Sequence, residues 1–124
     1  MQTSILGLRT TIYKVSDLAE AKKWYTGVFQ TAPYFDEPFH VGYNIAGYEL
    51  GLQPEEASDT KKTDNVLTYW GVSNMDEEYK RFIDAGAVVH EEPVNVGGEI
   101  IVASVKDAWG NVIGLIYNAE FKLP

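Results

Sequence analysis

Val15-Ser16-Asp17-Leu18-Ala19-Glu20 opens a helical stretch, and fifty-seven residues later Val72-Ser73-Asn74-Met75-Asp76-Glu77 opens another. Each block follows a strand-like run, Leu8 to Lys14 and then Val66 to Val72. Each also carries one start signal, Asp17-x-x-Glu20 and Asn74-x-x-Glu77. There the first side chain caps an orphan amide and the fourth reaches back. The chain therefore reads as two copies of one small unit, which makes a ligand site between the copies the leading expectation.

Working outward, residues Leu6 to Lys14 form a β-branched run, the first predicted strand. Asp17 to Phe29 is predicted as a helix, with Leu18, Ala21, Tyr25, Val28 and Phe29 at helical spacing. Gln30 to Pro38 reads as an extended or looped stretch interrupted by Pro33 and Pro38. Val41–Ile45 and Tyr48–Gln53 read as strands joined at Ala46-Gly47. Residues 55–64 are polar and aperiodic, the expected linker.

In the second copy, Val66 to Val72 is a strand and Asp76 to Ala85 a helix ended by Gly86. Val88 to Glu91 is a short strand ended by Pro93, and Asn95 to Glu99 a turn. Glu99 to Lys106 is a strand, Asp107 to Asn111 a hairpin turn and Val112 to Asn118 the last strand. The closing strands match as well: Tyr48-Glu49-Leu50-Gly51-Leu52-Gln53 resembles Ile113-Gly114-Leu115-Ile116-Tyr117-Asn118. The order is βαβββ twice, in modules of about residues 4–54 and 65–120. That order favours α+β with antiparallel pairing over an alternating parallel sheet.

With 124 residues, 45% hydrophobic and 13% aromatic, the chain can bury a core as one domain of two half-units. No apolar run approaches the length of a membrane helix. Met1-Gln2-Thr3-Ser4 shows no signal-peptide pattern. The absence of cysteine excludes disulfides and thiolate metal sites and is compatible with a cytoplasmic setting. A net charge of −8 disfavours nucleic acid and favours a cationic ligand.

Taken together, Val15-Ser16-Asp17-Leu18 leading to Trp24-Tyr25, then Tyr48-Glu49-Leu50, Asp84-Ala85-Gly86-Ala87 and Lys106-Asp107-Ala108-Trp109-Gly110-Asn111-Val112-Ile113-Gly114-Leu115 resemble the vicinal oxygen chelate superfamily. This is the glyoxalase/bleomycin-resistance/dioxygenase group. The usual Asp-Pro-x-Gly-Asn phrase has Ala108 in place of proline. The resemblance implies curled mixed sheets around a cavity, helices on the outside, and a homodimer. It also implies a divalent metal held by His, Gln or Glu from the first and last strand of each module. Carried over by phase, those positions are Thr10, Glu49, Leu67 and Gly114. Glu49 alone offers a charged oxygen, so neither a metal nor another cofactor is expected.

Period-two alternation sets Tyr48, Leu50 and Leu52 against a helix and puts Gly47, Glu49 and Gly51 on the cavity face. Glu49 is the candidate catalytic residue, a general base with a desolvation-raised pKa, or else a carboxylate that holds a cationic or hydroxyl group. A leftover, solvated acid is the competing reading. His40 and His90 read as surface or partly satisfied groups, with His40 a candidate for the cavity mouth. Thr10, His40, Leu67, Tyr69, Trp109 and Gly114 are the candidate substrate-binding residues. Tyr34, Phe35 and Phe39 are candidate rim aromatics that could equally be core or dimer contacts.

Three functions follow. The first is a metal-free protein that binds a small cationic or apolar molecule. The second is a glyoxalase-like lyase or isomerase using Glu49 as base or weak metal ligand. The third is a partner protein with a vestigial cavity, in which Glu49→Gln changes nothing.

Overall fold

The computed structural model describes residues 4–56, 61–62 and 65–121. Met1 to Thr3 and much of the expected linker (57–60, 63–64) lie outside the described residues. The chain divides into two units, residues 1–58 and 59–124. Each holds one helix and one four-stranded mixed sheet, an α+β architecture.

The first unit runs β1 (Thr10–Val15), α1 (Leu18–Val28), β2 (Phe35–Glu37), β3 (His40–Ile45) and β4 (Tyr48–Pro54). Its sheet has the order β1-β4-β3-β2, with β1 and β4 parallel and the other pairs antiparallel. Asp17 caps α1 as expected, accepting the Glu20 amide at 3.1 Å. Ala21, Tyr25 and Val28 bury one helix face. Tyr25 stacks on Tyr13 of β1 at 5.8 Å. Tyr43 donates to the Lys22 carbonyl at 3.0 Å, which leaves the Thr26 hydroxyl, 2.9 Å away, as donor to Tyr43. Leu50 and Leu52 are fully buried in the same layer. Alternation then turns Thr10, Ile12 and Lys14, His40 and Gly42, and Glu49, Gly51 and Gln53 to the opposite face. Ala46 and Gly47 both take positive φ, which is the geometry of a two-residue hairpin turn.

The second unit runs β5 (Tyr69–Gly71), α2 (Met75–Asp84), β6 (Val88–Gly97), β7 (Ile100–Lys106) and β8 (Val112–Asn118), in the sheet order β5-β8-β7-β6. Asn74 caps α2 by accepting the Glu77 amide at 3.1 Å. Met75 and Phe82 are buried, as are Ala103, Val105, Ile113 and Leu115. Both sheets are open, ending at β1 and β2 in one and at β5 and β6 in the other.

The extended or looped stretch Gln30 to Pro38 holds a short edge strand, β2, which tolerates flanking prolines. Three expectations need correction. The turn read over Asn95 to Glu99 is confined to Gly98 and Glu99, because β6 runs on through Gly97. Pro93 does not end β6. It sits where the register shifts between Glu91 and Val94, on an edge where the missing amide costs no ladder bond. The first strand of each unit is shorter than its apolar run, so Leu6, Leu8 and Val66 lie outside and exposed. Among the described residues no helix is long and apolar enough to cross a membrane.

Candidate functional site

Glu49 is the hub of the open face of the first sheet. Thr10 lies directly opposite it in the parallel β1–β4 register and donates its hydroxyl to Oε1 at 2.6 Å. Tyr34, just before β2, donates its hydroxyl to Oε2 at 2.5 Å. His40, the first residue of β3, places Nε2 3.1 Å from the same oxygen. A carboxylate has about four acceptor positions. Three donors from three elements fill most of them, and one remains for a ligand donor.

Two glycines of this face let the donors close on the carboxylate. A Cβ on Gly42 would lie 2.6 Å from Glu49 Oε2 and 3.0 Å from the Tyr34 ring. A Cβ on Gly51 would lie 2.6 Å from Ile12 Cδ1 and 2.8 Å from His40 Cε1. The space beside the carboxylate is occupied by its own hydrogen-bond donors, and the glycines make their approach possible.

The expected rise in the Glu49 pKa is overturned. Burial does push it up, but the hydrogen bonds from Thr10, Tyr34 and His40, with the charge of His40 whenever that ring is protonated, outweigh burial and hold it at about 2. The Tyr34 hydroxyl moves the other way. Its hydrogen bond to Glu49 raises it, helped by burial and by the carboxylate's charge. The group is thus a permanent anion rather than a poised base. Around it Tyr34 and Phe39 are about two-thirds exposed. Phe35 and Phe39 meet edge to face at 5.9 Å, and Phe35 lies 5.8 Å from the His40 ring.

Of the predicted site residues, Thr10, His40 and Glu49 come together, joined by the rim candidate Tyr34. Leu67, Tyr69, Trp109 and Gly114 belong to the second unit. There Tyr69, not Leu67, stands opposite Gly114, because the strand register runs two residues later than the helix-start phase. Gly114 has no side chain, and the Tyr69 ring lies over it, with Cδ1 2.8 Å from where a Cβ would be. Leu67 precedes β5, and Trp109 lies in the β7–β8 turn, its carbonyl accepting from Lys62 at 2.6 Å. His90 is partly satisfied, as expected, with Nδ1 2.8 Å from the hydroxyl of Ser104. A β6 bulge between Val89 and Glu91 turns both His90 and Glu91 toward that buried serine. A separate open cleft of about 240 Å³ lies at the start of α2, lined by Asn74, Asp76, Ile101 and Tyr117 among others.

Residues 7–115 match the family model of the glyoxalase/bleomycin resistance protein/dioxygenase superfamily. The chain belongs to this superfamily. No curated protein matches it significantly. Among solved structures it is similar to a glyoxalase-related enzyme from Fulvimarina pelagi, at 17% identity and a TM-score of 0.79 over 97% of this chain and 94% of that one. It is also similar to a glyoxalase/bleomycin resistance protein/dioxygenase family enzyme from Burkholderia phytofirmans PsJN, at 19% identity and TM-score 0.75 over 87% and 95%. A third is a glyoxalase/bleomycin resistance protein from Albidiferax ferrireducens T118, at 18%, 0.73, 90% and 98%. At such identities the likeness is one of fold.

The donor set of this superfamily member does not fit the metal that the family implies. The first unit contributes one carboxylate and a neutral hydroxyl, Glu49 and Thr10. The second offers a tyrosine and a glycine at the matching places, Tyr69 and Gly114. Among the described residues no three His, Asp or Glu side chains gather closely enough to hold an ion.

Proposed function

We propose that the protein is a metal-free small-molecule-binding member of the superfamily, of the bleomycin-resistance type, with Glu49 as the polar anchor. The observation that carries this is the state of Glu49, held ionised by Thr10, Tyr34 and His40 beside the exposed rings of Tyr34, Phe35 and Phe39. A fixed carboxylate with aromatic surface beside it suits an ammonium ligand bearing an apolar body. The charge pairs with Glu49 and the body packs on the rings. Tyr69 and Trp109, with Leu67 and Gly114, remain candidates for further ligand contact in the second unit. A homodimer and a cytoplasmic setting belong to the same proposal.

The second reading is a glyoxalase-like lyase or isomerase in which Glu49 takes a substrate proton. The Tyr34 hydroxyl at 2.5 Å from Glu49 would then supply the returning acid. A carboxylate with a pKa of about 2 is a weak base at neutral pH, so this reading is the less favoured.

The test is a thermal-shift and calorimetric comparison of 2-phenylethylammonium, the near-isosteric 2-phenylethanol and phenylacetate, on the wild type and on Glu49→Gln. The expected order is ammonium above alcohol, with no binding of phenylacetate and loss of the ammonium preference in Glu49→Gln. Equal binding of alcohol and ammonium, or an unchanged preference in the variant, would overturn the assignment. Titration of Ni²⁺, Zn²⁺, Mn²⁺ and Fe²⁺ into chelator-stripped protein completes it. Tight stoichiometric uptake would refute the metal-free reading.

A further inference from the structure

The hydrogen bonds converging on Glu49 continue behind His40. His40 Nδ1 lies 3.0 Å from Gln53 Nε2, and Gln53 Oε1 accepts from the Lys14 ammonium at 3.0 Å. Lys14 and Gln53 are direct partners in the parallel β1–β4 register, on the face that carries Thr10 and Glu49, so the sheet itself imposes their contact. An ammonium has donors and no acceptor. The Gln53 oxygen must therefore face Lys14, which turns the amide NH₂ toward His40 and makes Nδ1 an acceptor. On the other side of the ring the ionised Glu49 can only accept, so Nε2 carries the hydrogen. Both flanks demand the same tautomer. A second hydrogen, on Nδ1, would point at the amide hydrogens. Turning the amide over to receive it would set NH₂ against the ammonium of Lys14.

We propose that Gln53, oriented by Lys14, is a positioning residue of the Glu49 site: it holds His40 as the Nε2–H tautomer, a neutral donor, so that the charge of Glu49 stays unneutralised for a ligand. The inference rests on the reading of Glu49 as the ligand anchor for its purpose, though not for its geometry. Lys14 and Gln53 both act through the imidazole.

Long-range proton–nitrogen correlation spectra of the full chain, labelled with ¹⁵N-histidine and recorded without ligand at mildly alkaline pH, test this. The wild type is expected to show His40 as a single tautomer, hydrogen on Nε2 and none on Nδ1. Lys14→Met frees the amide to turn its oxygen to Nδ1 while Glu49 still holds the hydrogen on Nε2, so a form with hydrogen on both nitrogens appears as a second population. Lys14→Arg preserves a donor and restores the single tautomer. Gln53→Glu presents an acceptor to Nδ1, and both nitrogens then carry hydrogen at the same pH. A cooperative urea transition at the wild-type slope reports that each variant is folded. A wild-type His40 with its hydrogen on Nδ1, or a folded Lys14→Met in which Nδ1 carries no more hydrogen than in the wild type, overturns the proposal. Should Lys14→Met fail to fold, Gln53→Glu decides alone, and a His40 unchanged by the new carboxylate overturns it. If the tautomer behaves as expected while the ammonium preference fails to depend on Glu49, the positioning stands and the ligand reading falls.

Discussion

At the scale of the residue, the behaviour of Glu49 is set by its donors and is open to a direct pH test. Its pKa is about 2 in the folded protein against an ordinary 4.5. The native state therefore binds fewer protons than the unfolded chain, so the cluster's stabilisation is fully present above pH 4.5 and is lost as pH falls toward 2. The urea stability gap between the wild type and Glu49→Gln should stay constant above about pH 5 and close between pH 4.5 and 2. A carboxyl titration midpoint near 4.5 in carbon NMR would contradict the hydrogen-bonded arrangement. Glu49→Gln removes the charged acceptor and turns an NH₂ toward one donor, and should cost about 3 kcal/mol above pH 5. Gly42→Ala is a sharper probe, because its methyl would meet Glu49 Oε2 at 2.6 Å and the Tyr34 ring at 3.0 Å. It should destabilise by roughly 1–3 kcal/mol in urea melts and abolish the ammonium preference. Thr10, Glu49 and Gly51 could be placed on one face from alternation alone. Tyr34 and His40 could not, since one precedes a three-residue edge strand and the other begins a strand after proline, where no period exists to set the phase.

At the scale of the element, the legible parts are those with a local cause. Both helix starts follow from a capping side chain, and both caps are made, Asp17 to the Glu20 amide and Asn74 to the Glu77 amide. Asp17→Ala and Asn74→Ala should each lower stability by about 1 kcal/mol, read as a shift of the urea midpoint at unchanged slope. A shift in neither variant would mean that packing, not capping, fixes the helix starts. What escaped the sequence was edge structure. Prolines mark breaks in a chain read locally, yet β2 forms between Pro33 and Pro38 and β6 runs through Pro93. At an edge the absent amide faces away from the ladder. Pro93 then has a second role. Val88, Val89, Val94 and Val96 are exposed on this ten-residue edge, a surface open to unwanted pairing. Pro93→Val should lower the temperature at which light scattering rises. An unchanged onset would remove proline from the account of how the edge is kept single.

At the scale of the whole molecule, the repeat predicts shape better than chemistry. The two units share the βαβββ order and a glycine-assisted face, yet what fills that face differs. The first unit gathers a carboxylate, two hydroxyls and an imidazole, whereas the second lays the Tyr69 ring over Gly114 and turns His90 and Glu91 toward a buried serine. Helix-start phase set Leu67 opposite Gly114, whereas Tyr69 is the register partner, because Tyr69 lies two residues nearer its cap Asn74 than Thr10 lies to Asp17. Charge is the property that acts across both units. The chain as a whole carries 18 acidic against 10 basic residues, a net charge of −8, and a net field of that sign favours a cation over an anion, as Glu49 does. That field is screened over about 10 Å at 0.1 M salt, while apolar packing on the aromatic rings is not. Raising sodium chloride from 10 mM to 1 M should therefore weaken 2-phenylethylammonium binding about fivefold, equivalent to about 1 kcal/mol for a partly exposed ion pair. The affinity for 2-phenylethanol should hold steady or rise slightly. Calorimetry of both probes across the salt series measures the difference. A salt-independent ammonium affinity would show that neither the surface charge nor Glu49 selects the ligand, and would leave the aromatic rim as the whole of the site.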